Sequence, residues 1–360
     1  DGMDWLQKWA QKKPNAVFLN GLTFSQVANR VDKEARVLWT SLKHMKRVAI
    51  WSHNSVDMAI VLLSLLRLQR VVLFLNVHLT PQELVDQTQD LDVDLIIMSQ
   101  SMMDKWSEAK IQDPPFHVAV IDELLAQKAS QVPLMENPSD DAIATIMNTS
   151  ATTGKFKSVP LRWGQIRAHV KASAQTLGVQ EEDNWLMVFP LFHVSGFSIL
   201  MRSLYNGTGV TIHEKYDAER VLEACNSGAV NMVSLVPTIL KELAPHIHDT
   251  NRLRVILLGG EYIPEQLVED AIAKHLPVYK TYGMTETFSQ CVTFSLLDHL
   301  DKRSSVGQAL PGMTVDVRNV DTDGIGEIYV SGPMLMSGYL GKEPVGSAFN
   351  KDAIGSLDEG

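Results

Sequence analysis

The sequence predicts an α/β protein: two α/β subdomains with layered sheets and helices, followed by a small β-rich, barrel-like subdomain. Short apolar runs alternate with runs at helical spacing through most of the chain, the pattern of parallel strands covered by helices. At 360 residues the chain exceeds what one hydrophobic core organises. From about Ser305 the texture changes to short strands between Gly, Asp and Pro turns. The expected boundaries are 1–140, 141–304 and 305–360, with the segment from Pro133 to Asp141 as the linker.

Each element follows from its residues. Phe24 to Leu42 carries apolar side chains at helical spacing behind Thr23, an N-cap residue type, and "RVAIWS" then reads as a buried strand. "SVDMAIVLLSLLRLQ" is helical, "VVLFLN" a strand, "TPQELVDQTQDL" a helix with Pro81 in its first turn, and "VDLIIMS" a strand. A second series begins near Asp141. Its strands are "NWLMVF", "GVTIHE", "NMVSLV" and "RVILLGG", and its helices are "AERVLEACNSG", "PTILKELAPHI" and "PEQLVEDAIAKH". "TVDVRNV" and "GEIYVSG" are the strands of the last part.

Composition narrows the function classes. A formal charge of -10 from 42 acidic and 32 basic side chains, with no Arg-rich run, argues against nucleic acid as a partner. Cys225 and Cys291 are far apart and lack His or Cys at metal-ligand spacing, which argues against a disulfide framework or structural zinc and fits a reducing cytoplasm. The most apolar segment, Met58 to Leu66, is about half of the ~20 residues a membrane span needs, so no span is expected. No secretory signal is read at the N-terminus. A homo-oligomer is compatible with the sequence, which has no signature for one.

The stretch "MNTSATTGKFKS" follows the apolar run "AIATIM". Small and hydroxyl residues after a strand can fold backbone N–H groups and side-chain donors around phosphate oxygens while Lys supplies charge. Thr149, Ser150, Thr152, Thr153, Gly154 and Lys157 are the candidates. The spacing is not that of the nucleotide P-loop, and such a loop alone is more often an ordinary solvated turn.

With its companions, the loop takes on meaning. "TSATTGKFK" resembles the phosphate loop of the acyl-adenylate-forming superfamily, whose usual form is Thr-Ser-Gly-Thr-Thr-Gly and a basic stretch. "YGMTET", from Tyr282 to Thr287, is similar to its second signature. "PLFHVSG", "LLGGE" and "GEIYVSGPMLMSGYL" agree in order and spacing, so the resemblance covers essentially the whole chain. It implies ATP, Mg2+ and CoA as cofactor and co-substrates. Glu286 is implied as the metal-binding carboxylate and Thr285 as the α-phosphate partner, against a plain reading in which both cap a helix. Gly259, Gly260 and Glu261 are implied to line the adenine pocket with Tyr282 stacking nearby, although a plain turn would also explain the glycines. His193, Ser195, Arg202 and Gly283 are implied at the acyl substrate. A carboxylate is already ionised at pH 7, so His193 is expected to position substrate, not to deprotonate it.

Within the superfamily, "NWLMVFPLFHVSGFSILMRSL" resembles the ligases that activate o-succinylbenzoate for menaquinone biosynthesis, including their Arg after the His-Ser-Gly loop, here Arg202. A dicarboxylate leaves one carboxylate over, and a guanidinium fork suits it. The competing reading puts Arg202 on an exposed helix face. An aryl- or medium-chain acyl-CoA ligase stays open, as does a non-catalytic nucleotide-binding module of the same fold.

The chain departs from the family's pattern in three places. Ala151 stands for the usual Gly, and Phe156 stands where Pro is commoner. The final "FNKDAIGSLDEG" lacks the Thr-Gly-Asp that the family sets against the ribose, and Asp358 is not assigned that role. The run from Asp352 to Ala353 resembles flanks of that motif joined across missing residues. The resemblance therefore implies a large N-terminal domain without the family's small C-terminal domain, and poor turnover by this piece alone.

Overall fold

The computed structural model describes residues 4–133, 135, 137–150, 156–303, 309–319, 321–322, 327–336, 338–340 and 355–357. The chain forms two compact units: residues 1–163 with 190–193 and 339–343, and residues 164–189 with 194–338 and 344–360. The first unit runs past the expected boundary at 140 because its sheet is completed by two strands that follow it.

In the first unit, α1 (Asp4–Lys12) leads to a hairpin of β1 (Val17–Leu19) and β2 (Leu22–Thr23). Asn20 and Gly21 turn it with φ of 44° and 85°, the left-handed pair that matches strand twist. Helix α2 (Phe24–Leu42) starts at a capping box: the Gln26 N–H donates to Thr23 Oγ1, and the Thr23 N–H to Gln26 Oε1. Strand β3 (Arg47–Trp51) is followed by α3 (Val56–Arg67), whose residues Met58 to Leu66 are all buried, the position expected for that apolar run. Strand β4 (Val71–Phe74) precedes α4 (Pro81–Thr88), entered through Pro81 and a second capping box between Thr80 and Glu83. Then come β5 (Leu95–Met98), α5 (Gln100–Glu108), β6 (His117–Val120), α6 (Ile121–Leu125), β7 (Ile143–Ser150) and β8 (Phe156–Arg162). The sheet order is β6-β5-β3-β4-β7-β8. All neighbours are parallel except the last pair, which is antiparallel.

The second unit begins with α7 (Trp163–Leu177), β9 (Asn184–Met187), α8 (Val194–Asn206) and β10 (Gly209–Ile212). It continues through α9 (Ala218–Asn226), β11 (Met232–Leu235), α10 (Pro237–Leu243), β12 (Val255–Leu258) and α11 (Glu265–Ala273). Strands β13 (Val278–Met284) and β14 (Ser289–Ser295) are joined by a single 3-10 turn, Thr285–Thr287. The strand order here is β14-β13-β12-β11-β9-β10, parallel except for β14. Order reverses between β9 and β11, the kind of switch point at whose carboxyl ends open α/β sheets bind ligands.

One buried network closes the amino ends of these strands. Arg254 forks onto Asp183 at 2.8 and 2.6 Å and also donates to the Leu177 and Gly178 carbonyls. Asn231 donates to the same carboxylate at 2.8 Å. Burial opposes the Asp183 charge, but these donors and the Gln180 N–H outweigh it and hold the carboxyl below its ordinary pKa.

The β-rich part contains β15 (Thr314–Arg318), β16 (Glu327–Ser331) and β17 (Gly355–Leu357), an antiparallel sheet in the order β15-β16-β17. Ile328 and Val330 of β16 pack with Met313, Met334, Ala172 and Val292, which ties this segment to the second unit. Residues Asp352, Ala353 and Asp358, singled out in the sequence, lie outside the described residues.

Candidate active site

The described part of the phosphate-loop stretch is the paired ends of two antiparallel strands, the carboxyl end of β7 and the start of β8. Thr149 pairs with Lys157 and Ser150 with Phe156. Polar side chains brace its base: Ser158 Oγ lies 2.6 Å from Asn148 Oδ1, and Asn148 Nδ2 donates to Gln87. The Lys157 ammonium stands 5.0 Å over the Tyr339 ring, and the Leu340 N–H donates to the Ser158 carbonyl at 3.0 Å. Phe156 occupies the first position of a strand, where an aromatic residue suits the backbone as well as Pro suits a loop. Ala151, Thr152, Thr153 and Gly154 lie outside the described residues, as does the Ser150 side chain.

His193 belongs to the same unit, its N–H donating to the Pro190 carbonyl and its ring 4.6 Å from that of Phe192. The side chain reaches solvent, yet the atoms packed around it desolvate the imidazolium. Together with the charge of His78 they lower its pKa, so the neutral ring is the form present at pH 7.

In the second unit, Gly260, Glu261 and Tyr282 of the residues expected at adenine line one cleft of about 660 Å³, and Gly259 stands behind it, against Thr281. Gly260, Glu261, Tyr262, Lys280, Thr281, Tyr282 and Gly283 line it, from the carboxyl ends of β12 and β13. Both glycines are required by geometry. A Cβ on Gly259 would sit 2.6 Å from Thr281 Cγ2 and 2.7 Å from the Thr281 carbonyl oxygen, and Gly260 has φ +87°. Glu261 is fixed by Thr238, whose hydroxyl donates to Oε1 at 2.8 Å. Lys280, which sequence reasoning did not single out, donates to the Arg303 carbonyl at 2.9 Å, and burial lowers its pKa.

Thr285 and Glu286 occupy the 3-10 turn between β13 and β14, so the expected alternative of a helix cap is not what the fold builds here. Glu286 is 8 % exposed, and its carbonyl accepts from the Met336 N–H at 2.8 Å. The Thr287 hydroxyl ties the turn to Met284 and Ser289. Phe288 follows in the left-handed conformation, φ 50°, with its ring fully buried. Among the described residues no group of three metal-ligating side chains exists. A magnesium ion carried by nucleotide phosphates needs only one or two protein carboxylates, and Glu286 fits that requirement.

Arg202 is not on an exposed face: it is 2 % exposed, on the inner side of α8. Its guanidinium carbon stacks 4.5 Å from the Trp185 ring centre, and Nη1 contacts Ser198 Oγ at 3.1 Å and His169 Nε2 at 3.3 Å. Among the described residues Nε has no hydrogen-bond partner and no carboxylate pairs with the group. Burial alone drives its pKa down to about 9. Ser195 stands in the first turn of the same helix, its carbonyl accepting from Ser198 Oγ. Trp185 and Ser198 lie within the segment 184–204 that carries the resemblance but were not singled out there, and His169 lies outside it with no local pattern to mark it.

A family model for AMP-binding enzymes matches residues 6–340. The 2-succinylbenzoate–CoA ligase of Lactococcus lactis is 49 % identical over 356 residues, 99 % of this chain and 77 % of that protein. The o-succinylbenzoate CoA synthetase of Bacillus subtilis, solved with its acyl-adenylate intermediate, superposes with a TM-score of 0.86 at 30 % identity, covering 98 % of this chain and 74 % of that one. The same enzyme solved with ATP and magnesium ion also gives 0.86 at 30 %, covering 98 % and 76 %. Among the described residues no helix is long and apolar enough to cross a membrane.

Proposed function

The chain belongs to the family of AMP-binding enzymes, and on that premise we propose that it activates 2-succinylbenzoate with ATP and passes the acyl group to CoA. One substrate carboxylate oxygen attacks the α-phosphorus and pyrophosphate leaves. The CoA sulfur then attacks the acyl carbonyl, its proton is lost and AMP leaves.

The observation that carries the substrate is Arg202. A buried guanidinium with no carboxylate beside it among the described residues matches an acid that arrives with a second carboxylate of its own. Gly260, Glu261 and Tyr282 take adenine in the cleft, with Gly259 letting the β12 end pack against Thr281 behind it. The close approach of backbone at Gly260 suits a flat ring, and the Tyr282 face suits stacking. Thr149, Ser150, Thr152, Thr153, Gly154 and Lys157 hold the phosphates, and Thr285 donates to the α-phosphate. Glu286 is the residue that would hold Mg2+, which when bound neutralises charge on the phosphates. His193, neutral at pH 7, positions the acyl carboxylate with Ser195 and Gly283 without adding charge. The expected three-part division at 140 and 304 puts the phosphate loop and the adenine and acyl residues together in its middle part, 141–304, ahead of the β-rich segment. The cysteine usage favours the cytoplasm as its place.

Calorimetric titration tests this with a hydrolysis-stable sulfonyl mimic of 2-succinylbenzoyl-adenylate beside the matching hexanoyl mimic. Clear preference for the dicarboxylate is expected. Equal affinity would instead indicate a general acyl ligase, and no binding of either a nucleotide-binding module without this activity.

A further inference from the structure

We propose that His169 is a positioning and specificity residue: a neutral hydrogen-bond acceptor that fixes the Arg202 fork so that its free edge meets the substrate's second carboxylate. This rests on the reading of Arg202 given above and names the residue through which that reading works.

The argument begins with donors and acceptors. A guanidinium offers only N–H donors, so a nitrogen facing it at 3.3 Å must present a lone pair. His169 Nε2 therefore carries no proton, and the ring is the neutral tautomer with hydrogen on Nδ1. An imidazolium would have no lone pair and would add a like charge to a fully buried site. Arg202 Nη1 has two hydrogens, and Ser198 Oγ and His169 Nε2 are its two acceptors. The adjacent edge, Nε with Nη2, makes no hydrogen bond among the described residues. That edge carries two parallel N–H groups, the geometry that meets a carboxylate with two bonds.

Neutral partners matter here. A carboxylate in place of His169 would orient the guanidinium equally well but would cancel the charge needed by the ligand. The imidazole orients it and leaves the charge uncompensated. The ring is itself fixed, because Phe288 meets it edge-on at 5.1 Å and 76°, and Phe197 meets Phe288 at 5.8 Å and 89°. Phe288 follows directly on the Thr285–Thr287 turn, so the residue that aims Arg202 is packed against the segment bearing Glu286.

The test compares dissociation constants of the 2-succinylbenzoyl and hexanoyl adenylate mimics in His169→Leu, His169→Gln and Arg202→Met, each checked by its thermal melt. His169→Leu should weaken the 2-succinylbenzoyl mimic by about tenfold or more and leave the hexanoyl mimic within about threefold. His169→Gln, which keeps an acceptor, should recover most of the loss. If Arg202→Met loses discrimination while His169→Leu keeps it, the inference about His169 fails and the reading of Arg202 stands. If Arg202→Met also keeps it, that reading fails too. Nitrogen-15 spectra of histidine-labelled native protein decide the point independently of any variant's folding: His169 should show an unprotonated Nε2 and a protonated Nδ1. A protonated Nε2 overturns the proposal.

Discussion

Arg202→Met makes an unusual pair of predictions: the free protein gains stability while the dicarboxylate ligand is lost. Burial holds the guanidinium pKa near 9 against an ordinary 12.5. At about 1.4 kcal/mol per pH unit this is roughly 5 kcal/mol of strain on the charged form. Met fills the same volume beside Trp185 without a charge. The change leaves His169 Nε2 without its donor, at a cost of about 1–3 kcal/mol. Ser198 keeps its own donation to the Ser195 carbonyl and loses little. The desolvation relief wins, so the net gain is about 2–4 kcal/mol, within the range seen when buried ions are replaced by apolar residues. At about 2–4 °C per kcal/mol, the melting temperature should rise by several degrees. Binding moves the other way. Removing one partner of a buried charged pair costs about 2–5 kcal/mol, or about 30-fold to more than 1,000-fold in affinity for the 2-succinylbenzoyl mimic. Calorimetry by scanning and by titration on one preparation reads both. A melting temperature that falls, with affinity unchanged, would refute the reasoning.

Other consequences follow from the same geometry. Asp183→Ala leaves the Arg254 guanidinium half-buried without its carboxylate and should cost about 3–5 kcal/mol in urea unfolding. Since the folded pKa of Asp183 is depressed, its contribution is fully present above the unfolded value near 4 and is lost as pH falls through the lower folded value. Urea midpoints measured down that range should drop more steeply in the native protein than in Asp183→Asn. Gly259→Ala should abolish ATP binding or folding through its clash with Thr281, whereas Gly260→Ala should cost about 1 kcal/mol for its positive φ, as read by nucleotide titration and melting. Glu286→Gln should raise the magnesium concentration needed for half-maximal ATP binding by about tenfold or more, with affinity for the magnesium-free adenylate mimic little changed.

Much of the fold was legible because each local signal agreed with the next. Thr80, Pro81 and Glu83 mark one helix start without ambiguity, and the apolar runs of β3, β4 and β5 are buried on both faces, as parallel strands must be. Helix α7 was not legible, since Gln165, His169 and Ser173 lie on its buried side and break the apolar stripe. Gln165 is satisfied there by the Met334 carbonyl, a partner 169 residues away. The β7–β8 hairpin was hidden because its polar tip reads as a loop although the ladder extends to Ser150 and Phe156. Within the site, the adenine cleft followed from glycines and a Tyr at strand ends. The burial of Arg202 did not, because a charged residue on a helix is placed outside by composition, and only long-range packing by Trp185 and His169 brings it in.

The most direct measurement follows the oxygen atoms. 2-Succinylbenzoate labelled with oxygen-18 in the carboxylates is incubated with ATP, magnesium and CoA in the presence of the protein, and the nucleotide products are weighed by mass spectrometry. Attack on the α-phosphorus predicts AMP carrying one oxygen-18. Unlabelled AMP, or label appearing in inorganic phosphate beside ADP, would contradict an acyl-adenylate.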